Sequence, residues 1–347
     1  VIGTILSVGA RSPLGLSSLT TAMCVRARKL EPRALGLRDR RGREIGMCVT
    51  AGIGPAVVGM PRMVRLAAPA LSEALAGAAG ALGPLEGARL PLVLVLPEPG
   101  RPDEETQADI VAELASRSDA PIDAARSRLV RAGAAGFAQA LQGARELLEG
   151  DARAVVVGGV DSYYHPEVLR WLDDGHRLHA LGVEDGMLPS EAAAFVVIGR
   201  AGGGRAPRAD AATGPRTPSL GTVAWAAHGD EPAAMGDAPP IAETLTDLFL
   251  EMQDAVGTSP WLVSDDNGER WRTQELSLCA LRMKLGEGAR SRWAADLGDC
   301  GAATGPLFAA IVARMWAAGC APARRAALAL ASNGPARGLV VMEAAHA

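Results

Sequence analysis

The chain has 347 residues, 48% of them hydrophobic, with a formal net charge of -4 and a pI near 5.8. That length and apolar content support a large buried core, and the mild acidity with scattered basic residues excludes the electrostatic footprint of a nucleic-acid binder. Cys24, Cys48, Cys279, Cys300 and Cys320 are odd in number and form no C-x-x-C pair, which predicts reduced thiols in a cytoplasmic setting. No apolar run reaches the length of a membrane span, and the first residues lack the basic flank and apolar stretch of a signal peptide.

Val1 to Ala10 reads as a strand, followed by the turn Ser12-Pro13-Leu14-Gly15 and a helix from Leu16 to Arg28. Arg38 to Arg43 is a charged, solvated loop. Helical periodicity runs from Pro61 to Leu82, a buried strand from Leu90 to Pro97, and a helix with an acidic start from Asp103 to Arg117. Small residues then turn at Gly133 into a helix from Ala134 to Leu148, whose positions Phe137, Leu141, Ala144 and Leu148 share one face. Ala154 to Val157 predicts a buried parallel strand that Gly158-Gly159 delivers to a tight corner before Asp161.

Glu191 to Ile198 is another apolar strand, with Glu191 as a structural carboxylate capping backbone N–H groups. The Gly, Pro, Ala and Arg of 201–219 show no periodicity and predict a linker between a half at 1–200 and a half at 220–347. Strand and helix alternate again beyond it, ending in two strands joined by Ser332-Asn333-Gly334-Pro335, where Asn-Gly is strong turn chemistry. Two βαβ-rich halves imply a mainly parallel, layered α/β architecture. No Gly-x-Gly-x-x-Gly fingerprint, phosphate loop or Gly-x-Ser-x-Gly elbow is present, so no cofactor is expected. His176 and His179 have the spacing of two metal ligands but sit on a predicted loop without a third ligand, and no metal is expected.

Several segments, in order, resemble the β-ketoacyl synthase branch of the thiolase fold. Val8 to Gly15 resembles that family's first strand and its Thr-Pro-Leu-Gly turn. Leu147 to Asp161 resembles its helix end and Val-Gly-Gly-Val strand. Asp185 to Ala194 resembles its Asp-Gly-Phe-x-x-Gly-Glu-Gly-Ala segment, with Ser190 and Ala192 replacing two glycines. Gly298 to Gly305 resembles its Gly-His-x-x-Gly-Ala-Ala-Gly turn, and Ser332 to Pro335 stands where the family has a glycine-rich loop. The resemblance implies a layered α-β-α-β-α architecture of two pseudo-symmetric halves. It also implies a role in fatty acid or polyketide biosynthesis, and a dimer formed through Arg131 to Asp161 and its flanking strand.

The residues that carry the family's chemistry are not found. Its nucleophilic cysteine aligns with Gly133, which cannot carry an acyl group. Its first catalytic histidine aligns with Asp266 in Ser264 to Gly268, its second with Asp299, and its aromatic gate with a loop that offers no aromatic. Gly133, Ala134, Asp265, Asp266, Asp299, Cys300 and Asn333 are therefore expected to line a remnant pocket, with no catalytic residue among them. Cys300 is the candidate thiol there, but the neighbouring aspartates oppose its ionisation. This favours a non-catalytic ketosynthase-like protein acting through a homodimer or a heterodimer with a ketosynthase-like partner, as a chain-length-factor-like subunit or an adaptor. An acyl carrier protein is a further partner that the resemblance implies. The alternatives are an enzyme that processes acyl thioesters without a cysteine, with Asp299 as base, and a module that only binds an acyl ligand.

Overall fold

The computed structural model describes residues 1–27, 32–82, 89–104, 109–179, 185–201, 219–232, 241–285 and 288–345. Most of the expected 201–219 linker, residues 202–218, lies outside them. In chain order the first part contains β1 (Gly3–Arg11), α1 (Ser18–Ala27), β2 (Arg33–Arg38), β3 (Glu44–Met47), α2 (Gly59–Leu82), β4 (Leu92–Leu96), α3 (Ile110–Ser118) and β5 (Arg128–Arg131). It continues through α4 (Gly136–Glu149), β6 (Ala154–Ser162), α5 (Pro166–Asp174) and β7 (Glu191–Gly199). The second part contains β8 (Gly221–Asp230), α6 (Glu243–Val256), β9 (Trp261–Ser264), α7 (Arg270–Arg282), β10 (Ala289–Ser291) and α8 (Ala294–Leu297). A 3-10 turn at Gly301–Ala303 then leads into α9 (Thr304–Ala317), β11 (Arg325–Ala331) and β12 (Ala336–Ala344).

Ten strands form one sheet in the order β10-β9-β11-β12-β8-β1-β7-β6-β4-β5. Read outward from the central β8–β1 pair, the two sides have the same connectivity, since β8, β12, β11, β9 and β10 succeed one another as β1, β7, β6, β4 and β5 do. The sheet is mixed, which corrects the mainly parallel expectation: β7 is antiparallel to both β1 and β6, and β12 to both β8 and β11, whereas β4 is parallel to β5 and β6. Hydrophobic runs such as Leu92–Leu96 are buried throughout because helices cover both faces of their sheet.

α2 packs on β1, β6 and β7 and against α3; α6 packs on β8 and β12 and against α7. Between the two five-stranded sides, α4 touches β4, β6, β8 and β12, and α9 touches β1, β6, β7 and β11. The layers are thus helix, sheet, helix, sheet, helix. The central helices are rich in alanine and glycine on both faces, which lets the sheets approach them closely: Gly305 leaves room for Phe137 of α4, and Gly338 for the Ala135 carbonyl.

One local expectation changes, and one, the exposed charged loop at 38–43, gains a defined turn. Gly158-Gly159 lies inside β6 and is not a corner; a Cβ at 158 would strike the Phe195 ring, and one at 159 the Ala302 carbonyl. Arg38 to Arg43 closes the β2–β3 hairpin, where the Asp39 carboxylate accepts the Arg41 and Arg43 N–H groups at 2.9 and 2.8 Å. Among the described residues, no helix is long and apolar enough to cross a membrane.

Candidate functional site

The carboxyl ends of parallel strands converge on a cavity of about 250 Å³, the position where open α/β sheets commonly bind ligands. β4 leads into Pro97–Arg101, β5 into Gly133–Ala134, β6 ends in Asp161 and Ser162, and β11 leads into Ser332–Gly334; all these segments contribute to its wall, as do Tyr163 and Trp171.

Gly133 stands at the turn between β5 and α4, with φ +60° and its N–H donated to the Leu96 carbonyl at 3.2 Å. Few side-chain-bearing residues adopt this left-handed backbone without cost. The space a side chain would take is occupied: a Cβ here would lie 2.9 Å from Oε2 of Glu98 and 3.1 Å from Oγ of Ser332. Ser332 caps the corner, accepting the Ala135 N–H at 2.9 Å and donating to the Ala132 carbonyl. Glu98 accepts the Asn333 and Gly334 N–H groups at 2.9 and 2.5 Å.

Across the cavity the wall is a buried ionic network. Asp161 accepts Arg101 at 2.6 Å, the Ser162 N–H at 2.7 Å and the Ala302 N–H at 2.9 Å. Arg101 also makes a two-pronged pair with Asp103, at 3.0 and 2.8 Å. Burial, with a smaller push from the Asp103 charge, raises the Asp161 carboxyl to about 6, against the opposing pull of Arg101 and the Ala302 N–H. Burial and the neighbouring Asp299 and Asp161 likewise push the Tyr163 hydroxyl up, so it stays protonated.

Asp299 accepts the Gly301 N–H at 2.7 Å and Asn267 Nδ2 at 2.6 Å. Asn267 continues to Glu269 at 3.0 Å, and Glu269 pairs with Arg177 through both prongs, at 2.6 and 2.9 Å. Burial raises the Glu269 carboxyl, but Arg177 and Arg272 outweigh it and hold the group below the usual range. Both Asp299 oxygens are thus engaged by donors that fix the chain turn. That is the environment of a structural carboxylate and a poor one for a general base.

Of the residues expected to line the pocket, Gly133, Ala134, Asp299 and Asn333 do so, whereas Asp265, Asp266 and Cys300 do not. Asp265 lies behind Arg272, bonded to its Nη1 at 2.8 Å and to the Ala331 N–H at 2.7 Å; burial pushes its carboxyl up to about 6. Asp266 faces away, toward Thr273 at 2.8 Å and Arg292 at 3.2 Å. β9 ends at Ser264, and from the segment that follows only Arg272 of α7 reaches the cavity wall. Cys300 is 2% exposed, its Sγ turned to Ser190 Oγ at 3.6 Å, and burial pushes its thiol well up, the reverse of an activated nucleophile.

Glu98, Arg101, Asp161, Tyr163, Trp171 and Arg272 are wall residues that sequence reasoning did not select. Glu98 and Asp161 had a local signal, each a carboxylate at the end of an apolar strand. Glu191 caps backbone as expected, accepting the Thr50 N–H at 2.8 Å, and in addition pairs with the fully buried Arg62. His165 caps the start of α5, and His176 contacts Arg40 at the surface, away from any metal-ligand cluster among the described residues.

Neither a protein-family model nor a curated protein sequence matches the chain. Solved structures do. A chain of the AntDE:AntF complex, described as a type II PKS acyl-carrier protein with its ketosynthase bound to the hexaketide, matches with TM-score 0.77 and 13% identity over 99% of both chains. The ishigamide ketosynthase/chain length factor matches with TM-score 0.75 and 13% identity, again over 99% of both. The ketosynthase from module 6 of the bacillaene synthase of Bacillus subtilis 168 matches with TM-score 0.75 and 14% identity, over 99% of this chain and 72% of that one. At such identities the likeness is one of architecture: this chain has the thiolase-like fold of the ketosynthases and ketosynthase/chain length factor proteins.

Proposed function

We propose that this chain is a non-catalytic ketosynthase-like protein that works by association, as a chain-length-factor-like partner of a ketosynthase-like subunit. One observation carries the reading: the corner between β5 and α4 presents Gly133 to the cavity, and among the described residues no cysteine or histidine lines that cavity. Acyl transfer through a covalent intermediate needs a nucleophile and a group to take its proton; the Ser332 hydroxyl at the corner is engaged by the Ala132 carbonyl and the Ala135 N–H, and both Glu98 oxygens by the Asn333 and Gly334 N–H groups. The wall carboxylates do not substitute, because Asp161 and Asp299 spend their oxygens on Arg101, Asn267 and backbone N–H groups.

The association half of the reading is supported by β5. It ends the sheet with β4 as its neighbour on one side, and it carries the 40% exposed Leu129. An edge strand with unpaired backbone groups and an apolar side chain offers a surface for pairing. The structural neighbours include a ketosynthase/chain length factor and an acyl-carrier protein complex, so a ketosynthase-like chain and an acyl carrier protein are the partners to try.

Purified protein incubated with acyl-thioester donors is expected to show neither an acyl adduct by intact mass nor turnover. An adduct, or turnover lost in Asp299→Ala, would overturn the non-catalytic reading. Affinity capture from the native host is expected to bring down a ketosynthase-like chain; self-association alone would leave a homodimeric adaptor.

A further inference from the structure

The loop after β4 places a carboxylate at the point where the corner lacks a side chain. Glu98 stands between Pro97 and Pro99, whose rings fix φ near about -65°, so it is presented from a stiff backbone. Its two oxygens each accept one of the successive N–H groups of Asn333 and Gly334, at 2.9 and 2.5 Å. Successive backbone N–H groups converging on one anion form a nest, and bonds to a charged acceptor are roughly twice as strong as neutral ones. Two glycines make the room. A Cβ at 133 would lie 2.9 Å from Oε2 and 3.1 Å from Cγ of Glu98, and one at 334 would lie 2.8 Å from Oε1.

We propose that the Asn333–Gly334 N–H pair is a carboxylate-binding site that the chain fills with its own Glu98, and that this internal ligand closes the Gly133 end of the cavity to acyl groups. The closure half rests on reading Gly133 as a vacated nucleophile position; the carboxylate site stands on its own geometry. Gly133 and Glu98 are then a matched pair. Restoring a cysteine at 133 does not reopen the site, because the thiol's place is taken by a carboxylate whose charge also opposes thiolate formation.

Glu98→Ala removes the atoms of an acetate ion and leaves the nest and Gly133 intact. In Glu98→Ala, 100 mM sodium acetate is expected to raise Tm by about 2–3 °C over sodium chloride of equal ionic strength, as a ligand of millimolar affinity would. The wild type is expected to shift equally in both salts. Equal shifts of Glu98→Ala in both salts would overturn the carboxylate site.

The closure is tested by iodoacetamide labelling followed by peptide mapping, which separates residue 133 from the half-buried Cys24 and Cys320. The cysteine of Gly133→Cys/Glu98→Ala is expected to react at least about tenfold faster than that of Gly133→Cys, about a pH-unit equivalent in accessible thiolate. Equal rates would overturn the closure. An acyl adduct on the wild-type protein would instead remove the vacated-nucleophile reading and leave the acetate result intact.

Discussion

Two corners face the cavity, and both place a glycine in left-handed backbone with a carboxylate where its side chain would be. At Gly133, φ +60°, the occupant is Glu98; at Gly301, φ +51°, a Cβ would land on the Asp161 carboxylate. The occupants are held differently. Glu98 is half-buried and accepts N–H groups of one loop, whereas Asp161 is 1% exposed and joins Arg101 to the backbone of its own strand and of the turn before α9. The Gly301 corner is therefore part of what joins the central helix layer to the sheet. The Gly133 corner is less tightly filled, since its occupant is 2.9 Å from where the Cβ would lie, against 1.9 Å at Gly301.

Substitution at the two glycines separates these roles most strongly. Gly301→Ala combines left-handed strain with a collision against a carboxylate that cannot move, and is expected to cost more than about 4 kcal/mol or to prevent soluble folding. Gly133→Ala is expected to cost about 1–2 kcal/mol, mainly backbone strain, because the contact with Glu98 at 2.9 Å is relieved by a shift of a few tenths of an ångström within its N–H pair. Urea unfolding midpoints measure both, and equal costs would erase the distinction. Between those two in size, Arg101→Met leaves Asp161 buried without its guanidinium, at an expected cost of about 3–5 kcal/mol.

A last expected effect is one of pH. The Asp161 and Asp265 carboxyls are pushed from 3.8 up to about 6. Between those values the folded protein binds more protons than the unfolded chain, so stability from these groups is greatest below about 4 and falls as pH rises to about 6. The loss is up to about 3 kcal/mol for each group. Glu269, whose carboxyl is held low, acts in the opposite sense and only below about 4.5. Unfolding midpoints at pH 4.5, 5.5 and 7.0 are expected to decline in the wild type and to decline less in Asp161→Asn. A wild-type midpoint that rises across this window would refute the account of Asp161 and Asp265 as carboxyls raised by burial.

Much of the architecture was legible along the chain. The periodic face of Phe137, Leu141 and Ala144 does become a buried side of α4, and Ser332 to Pro335 does join β11 to β12. The errors have a common cause. Gly158-Gly159 looks like a turn in one dimension, yet extended glycines also serve where a ring or another backbone lies against the strand, as Phe195 and Ala302 do here. Asp266 is expected in the pocket from the resemblance, and Asp265 and Cys300 from their places beside Asp266 and Asp299, but these three side chains point into the protein or away from the cavity.

The amino-acid sequence alone determined the layered α/β plan, because strand and helix periods and turn residues are local properties that recur in the same order in both halves. It also determined that no sulfur or imidazole stands at Gly133, Asp266 or Asp299. Tertiary structure decided what stands in their place. Glu98, Asp161 and Ser332 are separated by long stretches of chain. They meet because sheet order gathers the carboxyl ends of β4, β6 and β11 around the Gly133 corner. Only that pairing shows a glycine corner filled from outside by a carboxylate.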